Sequence, residues 1–403
     1  MARRLCIATP TALQNYLNKD PLTVIRIKSD KIITGEAIIP GYLYFENGKI
    51  AEVSDVEHPV EKEYDMTGLY VSPGFIDMHT HGGAGCDFLG SADDIVNGCN
   101  FHLSHGTTSI CPTISAAPIG VMEKSVIAVK AAMESAELKS NIIGAHLEGP
   151  YLSRKQCGAQ CTDFIVAPVK EDYERLVREY VDVIARWSYA PEKDENGEFC
   201  RYMTQNGIVS SAAHTDAIYD DMRVASDNGC KLVTHLYSCT STITREYGFR
   251  RLGVIESAYL DDSMFVEIIA DGKHLPSELV KLILKVKGSD KVALVTDSLA
   301  VAGSGITHGF MLETEFVIED GVCKLMDRSA FCGSIATADI LVRFMVNEVG
   351  VSLCDAVKMI TKVPSEIVGL NKGRLEAGYD ADIIVFDKDI NIRKAFVMGK
   401  EVL

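Results

Sequence analysis

Six residues of the types that bind divalent metals follow short apolar runs in the middle of the chain. They are His79, His81, Glu148, His214, His235 and Asp297. His79 and His81 are spaced i, i+2, so on a strand both imidazoles face the same way and can reach one centre. Imidazole nitrogens combined with carboxylate oxygens suit Zn²⁺, Fe²⁺ or Mn²⁺. The set therefore predicts a catalytic metal site.

Each of these residues also has a structural interpretation when it is taken alone. A single histidine at a strand end, such as His235, is more often a hydrogen-bonded, partly buried side chain than a ligand. Glu148 or Asp297 alone could cap the segment that follows it. The metal interpretation rests on the joint pattern, because all six residues follow predicted strands that one architecture would bring together.

Eight apolar runs supply those strands, and amphipathic helical stretches separate several of them. Near-continuous apolar strands that alternate with helices are typical of a parallel sheet, and eight units predict a closed (β/α)₈ barrel, whose function gathers at the carboxyl ends of the strands. An open doubly wound sheet is the alternative, but no GxGxxG motif follows any run. The runs are 74–81, 107–113, 141–148, 183–190, 207–214, 231–235, 264–271 and 291–297.

Both ends of the chain differ in sequence pattern from the middle, because short β-type segments alternate there with tight turns. Asn47-Gly48 is a hairpin signal, and Gly399 marks a turn near the other end. Two such segments most economically share one small β-sandwich domain. The predicted organisation is an extension at 1–20, a β domain at 21–72 and 373–403, and a catalytic barrel at 73–372.

The composition of the chain disfavours some classes of function. The chain has 403 residues and a formal net charge of −16, which repels phosphate backbones and anionic lipid. Nucleic-acid and membrane-surface binding are therefore disfavoured, and no stretch has the ~18 apolar residues of a membrane span. The 12 cysteines are scattered without a CxxC pair, which favours reduced thiols in a cytoplasmic protein.

The sequence around the candidate ligands resembles a known family. The order HxH, Glu, His, His, Asp is similar to that of the amidohydrolase superfamily, and the flanking motifs resemble its N-acetylglucosamine-6-phosphate deacetylases. The resemblance covers about residues 30–403. The motifs are PGFIDMHTHGGAGCDF (73–88), HLEGPYLSRKQCGA (146–159), APE (190–192), VTHLY (233–237), TREYG (244–248), ADGKHLP (270–276), LVTDS (294–298) and GRLEAGYDADIIVFD (373–387).

The resemblance implies a role for each matching residue. Glu148, His214 and His235 would hold the main metal, most simply zinc. His79 and His81 would hold a second ion, so one or two ions per subunit are expected. Asp297 would be the general base and acid. His274 would contact the sugar or its phosphate, and Arg245 would bind phosphate, often across the interface of a homodimer.

Two departures from the family pattern touch substrate recognition. Gln160 stands where the family has a substrate-contacting histidine, and glutamine cannot carry a positive charge at pH 7. Ser238, Cys239 and Thr240 replace the family's Asn-Ala-Met, whose asparagine helps to hold the phosphate. Neither change affects a metal ligand, so the reaction class is more secure than the substrate.

Three functions remain open at this stage. The first is a metal-dependent deacetylase of an N-acetyl amino sugar phosphate, with Gln160, Ser238, Cys239, Arg245 and His274 contacting the substrate. The second is a hydrolase of the same fold that acts on an epimeric or unphosphorylated N-acetyl sugar or on another N-acyl amide. The third is an inactive barrel that serves as a scaffold or sensor, against which the intact ligand set argues.

Overall fold

The fold is described from a computed structural model, which covers residues 24–311 and 314–403. The predicted extension at 1–20 lies outside the described residues. Within the described ranges, no helix is both long and apolar enough to cross a membrane.

Parallel strands form at all eight of the positions predicted from the apolar runs, which confirms the barrel. Consecutive barrel strands pair in parallel from the first to the eighth. Backbone bonds beyond the strand ends join the eighth to the first, because Asp297 N donates to His79 O over 2.9 Å. The barrel strands are Phe75–Thr80, Thr107–Ile114, Ala145–Glu148, Ile184–Tyr189, Val209–Ala212, Leu232–Val233, Phe265–Ile268 and Val292–Leu294. A two-residue strand, Asn141–Ile142, also pairs with the second barrel strand.

Amphipathic helices cover the barrel, and their apolar positions repeat every three or four residues. Met122, Val126 and Val129, for example, are buried along one face of Ile119–Met133. The α-helices are Ala92–Leu103, Ile119–Met133, Lys170–Tyr180, Glu198–Gln205, Tyr219–Asp227, Val254–Leu260, Ser277–Lys287, Ala338–Phe344, Leu353–Ile360 and Lys362–Val368. Short 3₁₀ or π turns occupy Arg154–Gln156, Thr162–Phe164, Pro191–Lys193 and Met345–Val349.

The small β domain contains strands from both ends of the chain, as predicted. Its eight strands share one hydrogen-bonded sheet, in which Tyr70–Pro73 pairs with Ile25–Ile33 on one side and Ile383–Phe386 on the other. Asn47 and Gly48 have φ of 51° and 77°, as a tight hairpin turn requires. The strands are Ile25–Ile33, Ile38–Glu46, Lys49–Ser54, Lys62–Asp65, Tyr70–Pro73, Ile383–Phe386, Ile392–Val397 and Lys400–Glu401.

Three smaller sheets follow the carboxyl ends of barrel strands. A four-stranded antiparallel sheet follows the eighth barrel strand and covers the mouth of the barrel with its last strand, Phe331–Gly333. This sheet was not predicted from the sequence. Its other strands are His308–Met311, Thr314–Glu319 and Val322–Leu325, and the two hairpins are Gly82–Gly83 with Cys86–Asp87 and Thr244–Glu246 with Phe249–Arg251.

Candidate metal centre

The carboxyl ends of five barrel strands bring the six candidate ligands together. His79 lies within the first strand, and Glu148 is the last residue of the third. His214 and His235 each come two residues after a strand end, and Asp297 comes three residues after the eighth strand. Parallel strands end at the same rim of a barrel, so residues far apart in sequence meet there.

Glu148 lies at the centre of this group. Its carboxylate faces the Nε2 atoms of all four histidines, and Asp297 Oδ1 lies 3.4 Å from His79 Nε2 and 3.2 Å from His81 Nε2. All of these side chains are buried or nearly so. The Glu148 distances are 3.3 Å from Oε1 to His79 Nε2, 3.3 Å from Oε2 to His81 Nε2, and 3.2 Å from Oε1 to the Nε2 atoms of His214 and His235.

These distances fit divalent metal binding. Ligand bonds of ~2.0–2.1 Å in a tetrahedron give ligand-to-ligand edges of about 3.3 Å. Two triads have mutually close ligand atoms, and Glu148 belongs to both. The Nε2 atoms of His79 and His81 are 3.3 Å apart. The arrangement therefore suits one divalent ion in either triad, or two ions that share Glu148.

Three of the six residues have a strained backbone. His214, His235 and Asp297 have φ of 44°, 29° and 46°, in the left-handed region that residues other than glycine rarely adopt. Such a conformation costs on the order of 1 kcal/mol per residue and persists only where the surrounding structure holds it. Ser153 N donates to His214 O over 2.8 Å, and Ser334 N donates to Asp297 O over 2.9 Å. The strained backbone therefore lowers the stability of the fold but orients these three side chains toward the centre.

The electrostatics of the centre favour ionised carboxylates. Burial alone would raise the pKa of Glu148, but His79 and His214 outweigh burial and hold that pKa well below its ordinary value. Burial is likewise outweighed at Asp297, where His79 and His81 lower the pKa of the carboxyl group. The site therefore presents two carboxylates that need positive charge from a cation or from protonated imidazoles.

A pocket opens above these ligands, and most of the predicted site residues line it. His79 lies beneath the pocket floor with no exposed surface. Asp87 and Phe331 line the wall and were missed by the sequence analysis. No lysine or arginine of the described residues belongs to the lining. The predicted residues found there are His81, Glu148, Gln160, His214, His235, Ser238, Cys239, His274 and Asp297.

Gln160 has a defined place beside the centre. Its Nε2 donates to Glu148 Oε2 over 2.7 Å, and its Oε1 accepts from Ala116 N over 3.1 Å. His274, which also lines the pocket, has Nδ1 2.8 Å from Asp271 Oδ2. A contact between Gln160 and a ligand carboxylate was not predicted, because Gln160 lies 12 residues after Glu148 and meets it only where the loop turns back.

Arg245 lies outside the pocket of its own chain. It is on the exposed hairpin formed by Thr244–Glu246 and Phe249–Arg251. Tyr247 and Phe249 on the same hairpin are 95% and 75% exposed. The structure therefore does not place Arg245 against the pocket of its own chain.

A buried ion pair lies beneath the centre, inside the barrel. Arg186 and Glu267 are both fully buried and form a bidentate pair. Burial alone would raise the pKa of Glu267, but Arg186 outweighs burial and holds that pKa below its ordinary value. Neither residue was predicted from the sequence, although a charged side chain inside each of the apolar runs 183–190 and 264–271 is a recognisable signal.

Comparison with known proteins agrees with this geometry. The model of the amidohydrolase family matches residues 70–402. The N-acetylglucosamine-6-phosphate deacetylase of Bacillus subtilis (strain 168) is 31% identical over 377 residues, which cover 91% of this chain and 94% of that protein. The human protein of the same name is 28% identical, covering 93% and 92% of the two chains.

Solved structures give the same result. The N-acetylglucosamine-6-phosphate deacetylase of Pasteurella multocida superposes with a TM-score of 0.87 at 27% identity, covering 94% of this chain and 99% of that one. A mutant of the Mycobacterium smegmatis enzyme, in complex with N-acetyl-D-glucosamine-6-phosphate, gives a TM-score of 0.87 at 26% identity, covering 94% and 100%. Matched over most of its length in both sequence and fold, the chain belongs to the amidohydrolase family.

Proposed function

We propose that this protein is a metal-dependent deacetylase that converts N-acetylglucosamine-6-phosphate to glucosamine-6-phosphate and acetate. The observation that carries the proposal is the convergence of four histidines and two carboxylates at the base of one pocket. The relatives that align along nearly the whole chain are named for this reaction. The cytoplasmic location favoured by the scattered cysteines stays a prediction.

The proposed metal sites follow the two triads. Glu148, His214 and His235 would hold the main ion, and His79, His81 and Glu148 would hold a second ion. Zn²⁺ is the ion that this ligand set suits best, with Fe²⁺ or Mn²⁺ also compatible. When bound, such an ion lowers the pKa of coordinated water toward ~7 and polarises the acyl oxygen.

Asp297 is the proposed general base and acid. Its side chain is 13% exposed, so the carboxylate borders both the ligand cluster and the pocket. A carboxylate held ionised by His79 and His81 can accept a proton from the attacking water. The same group then returns that proton to the sugar nitrogen, because an amine leaves only after protonation.

Residues on the pocket wall would orient the substrate. Gln160 Nε2 already donates to Glu148, so Gln160 supports the carboxylate and borders the space for the N-acetyl group. His274, fixed by Asp271, would contact the sugar or its phosphate. Ser238 and Cys239 also line the pocket and come shortly before the Arg245 hairpin in sequence. They would contact the distal part of the substrate.

The phosphate is the part of the substrate for which the pocket of one subunit offers the fewest binding groups. The pocket has no lysine or arginine among the described residues, so histidine is the only type of side chain in its lining that could offer a dianion positive charge. The hairpin that carries Arg245 exposes Tyr247 and Phe249, and exposed aromatic and arginine side chains are enriched at protein interfaces. We therefore propose a homodimer in which Arg245 reaches the pocket of the partner subunit.

Replacing Arg245 tests this arrangement. Arg245→Ala is expected to lower kcat/KM for the phosphorylated substrate by about 10- to 100-fold, since a hydrogen bond to a charged group contributes ~1.5–3 kcal/mol. Activity on the unphosphorylated sugar should be unchanged. Arg251→Ala is the matched control, because Arg251 pairs with Glu246 on the same hairpin. Equal losses on both sugars would contradict a phosphate role for Arg245.

Mixed dimers separate a residue that acts across the interface from one that acts within its own chain. Arg245→Ala and Asp297→Asn subunits, each impaired alone, are mixed after reversible dissociation. A mixed dimer then has one pocket with an intact Asp297 and an intact partner arginine. Random mixing should restore about a quarter of wild-type activity. No recovery in a verified mixed dimer would place Arg245 in its own chain.

The substrate itself is tested with purified, metal-analysed protein. Release of amine is measured with N-acetylglucosamine-6-phosphate, its galacto epimer and unphosphorylated N-acetylglucosamine. Fast turnover of the gluco phosphate supports the proposal. The lack of a cation in the pocket of one subunit favours the second candidate, a hydrolase of an unphosphorylated or differently substituted N-acetyl sugar. Preference for the unphosphorylated sugar would select that candidate, and no turnover of any of the three by metal-loaded protein would overturn the proposal.

A further inference from the structure

The four histidines of the metal centre are oriented in the same way. Each points Nε2 at Glu148 and Nδ1 away from it. In three of them a neutral oxygen faces Nδ1, as is usual for histidines that bind metals, because such a contact fixes the tautomer and the ring orientation. The contacts are His81 Nδ1 to Ser115 Oγ at 2.9 Å, His214 Nδ1 to Gln156 O at 2.9 Å and His235 Nδ1 to Ser238 O at 3.0 Å.

His79 is the exception. Its ring is fully buried, and its Nδ1 has no hydrogen-bond partner. The group that faces it is the carboxylate of Glu267 on the seventh barrel strand, whose Oε2 lies 3.7 Å away. Glu267 is also fully buried, so water is not a ready substitute. A small movement of either side chain would close the gap to a hydrogen bond.

Arg186 holds Glu267 in this position. Its Nη2 lies 2.8 Å from Glu267 Oε2, and its Nη1 bonds to the other carboxylate oxygen. The remaining donors of the guanidinium group tie it to four other places in the barrel interior. These contacts are Nε to Ser211 Oγ at 3.1 Å, Nη2 to Thr234 Oγ1 at 2.7 Å and to Ser188 Oγ at 3.5 Å, and Nη1 to Met78 O at 3.3 Å.

A buried ion pair of this kind is weak evidence for a stabilising role. Removing two charges from water is costly, and replacing a buried pair with apolar side chains of similar volume is often neutral or stabilising. Both residues are far enough below the pocket to be absent from its lining. Within the pair, however, the carboxylate of Glu267 faces His79, which among the four histidines of the metal centre is the one whose Nδ1 lacks an acceptor.

We propose that Glu267 is the positioning residue for His79, and that Arg186 orients Glu267. The carboxylate accepts a hydrogen bond from the Nδ1–H group of His79, which leaves the Nε2 lone pair free to bind an ion. This inference rests on the proposed metal role of His79. It makes binding at the His79, His81 and Glu148 triad depend on Glu267, whereas the Glu148, His214 and His235 triad has its own neutral acceptors.

Metal binding to Glu267→Gln tests the proposal without reference to substrate. Glutamine keeps the shape of the side chain but lacks the charge that attracts the Nδ1 proton. Titration of the apoprotein with Co²⁺ in competition with a chelator should show the second ion binding about 10- to 100-fold more weakly. Affinity for the first ion should be unchanged. His79→Ala sets the value for complete loss of the second ion.

Ser211→Ala is the matched control. It removes one contact of Arg186 in the same buried network but does not touch His79. Its second-ion affinity should equal that of the wild type. If Glu267→Gln does not fold, the double variant Arg186→Met/Glu267→Met removes the pair without leaving a buried charge, and the same weakening is expected. Melting followed by circular dichroism confirms folding.

Wild-type affinity for both ions in a folded Glu267→Gln or double-methionine protein would overturn the inference. Equal weakening of both ions would overturn it too, since a general loosening of the barrel explains that result. A wild-type protein that binds two ions but hydrolyses no N-acetyl sugar would overturn the proposed function and leave this inference standing. A wild-type protein that binds no second ion would overturn the inference and the proposed second metal site, and would leave the proposed deacetylase reaction standing.

Discussion

Asp297→Asn is expected to give a folded, metal-loaded protein whose kcat is lower by about 10²- to 10⁴-fold. Asparagine keeps the size of the side chain and an oxygen that can face His79 and His81. It cannot accept the proton of water or return one to the leaving amine. The ligands His214 and His235 do not depend on Asp297, so the main metal should stay in place.

The decisive measurement combines turnover with metal content on the same preparation. A large fall in kcat with unchanged metal content and unchanged KM supports a role in proton transfer. A near-normal rate would rule out Asp297 as the base. Loss of metal in parallel with activity would show instead that Asp297 acts mainly by holding the ion.

The second large effect is expected for Glu148→Gln. Glu148 belongs to both triads, and its two oxygens face all four histidines. An amide is a much weaker ligand than a carboxylate for these ions and leaves the site short of negative charge. We expect both ions to be lost and activity to fall to that of protein stripped with a chelator.

Glu192→Gln is the control for the removal of a carboxylate beside the same strand ends. Glu192 accepts from Thr215 Oγ1 over 2.5 Å and from Asp216 N over 2.9 Å, next to His214, but it belongs to neither triad. That variant should keep its metal and its activity. If Glu148→Gln retained one tightly bound ion, Glu148 would be a ligand of only one of the two sites.

The sequence was sufficient to predict the barrel and the convergence of the six ligands. Apolar runs that end in polar residues mark parallel strands, and such strands deliver their last residues to one rim. The convergence of Glu148 and Asp297 could be predicted without knowing how the strands pair, because any closed barrel would bring them together. The small β domain followed from the same reasoning, since a β segment at only one end would lack partner strands.

The contacts that refine the site could not be predicted in this way. The pairing of Arg186 with Glu267 spans 81 residues and depends on the stagger between strands, which a single sequence does not reveal. The bond from Gln160 to Glu148 depends on how the loop after the third strand folds back. Part of the sheet that ends at Phe331–Gly333 was open to prediction, because Asp320-Gly321 is a hairpin signal between the segments that form Thr314–Glu319 and Val322–Leu325.

The sheet of the small domain has a consequence for the order of folding during synthesis. Its strand Tyr70–Pro73 gains its second neighbour only when Ile383–Phe386 has been made, more than 300 residues later. The six proposed ligands end at Asp297, so the ribosome completes the metal site before it completes this sheet. Domains fold as their residues emerge, at roughly 5–20 residues per second. At that rate the residues between Tyr70–Pro73 and Ile383–Phe386 take roughly 15–60 seconds to make, and until then the backbone N–H and C=O groups on one side of Tyr70–Pro73 have no strand partner.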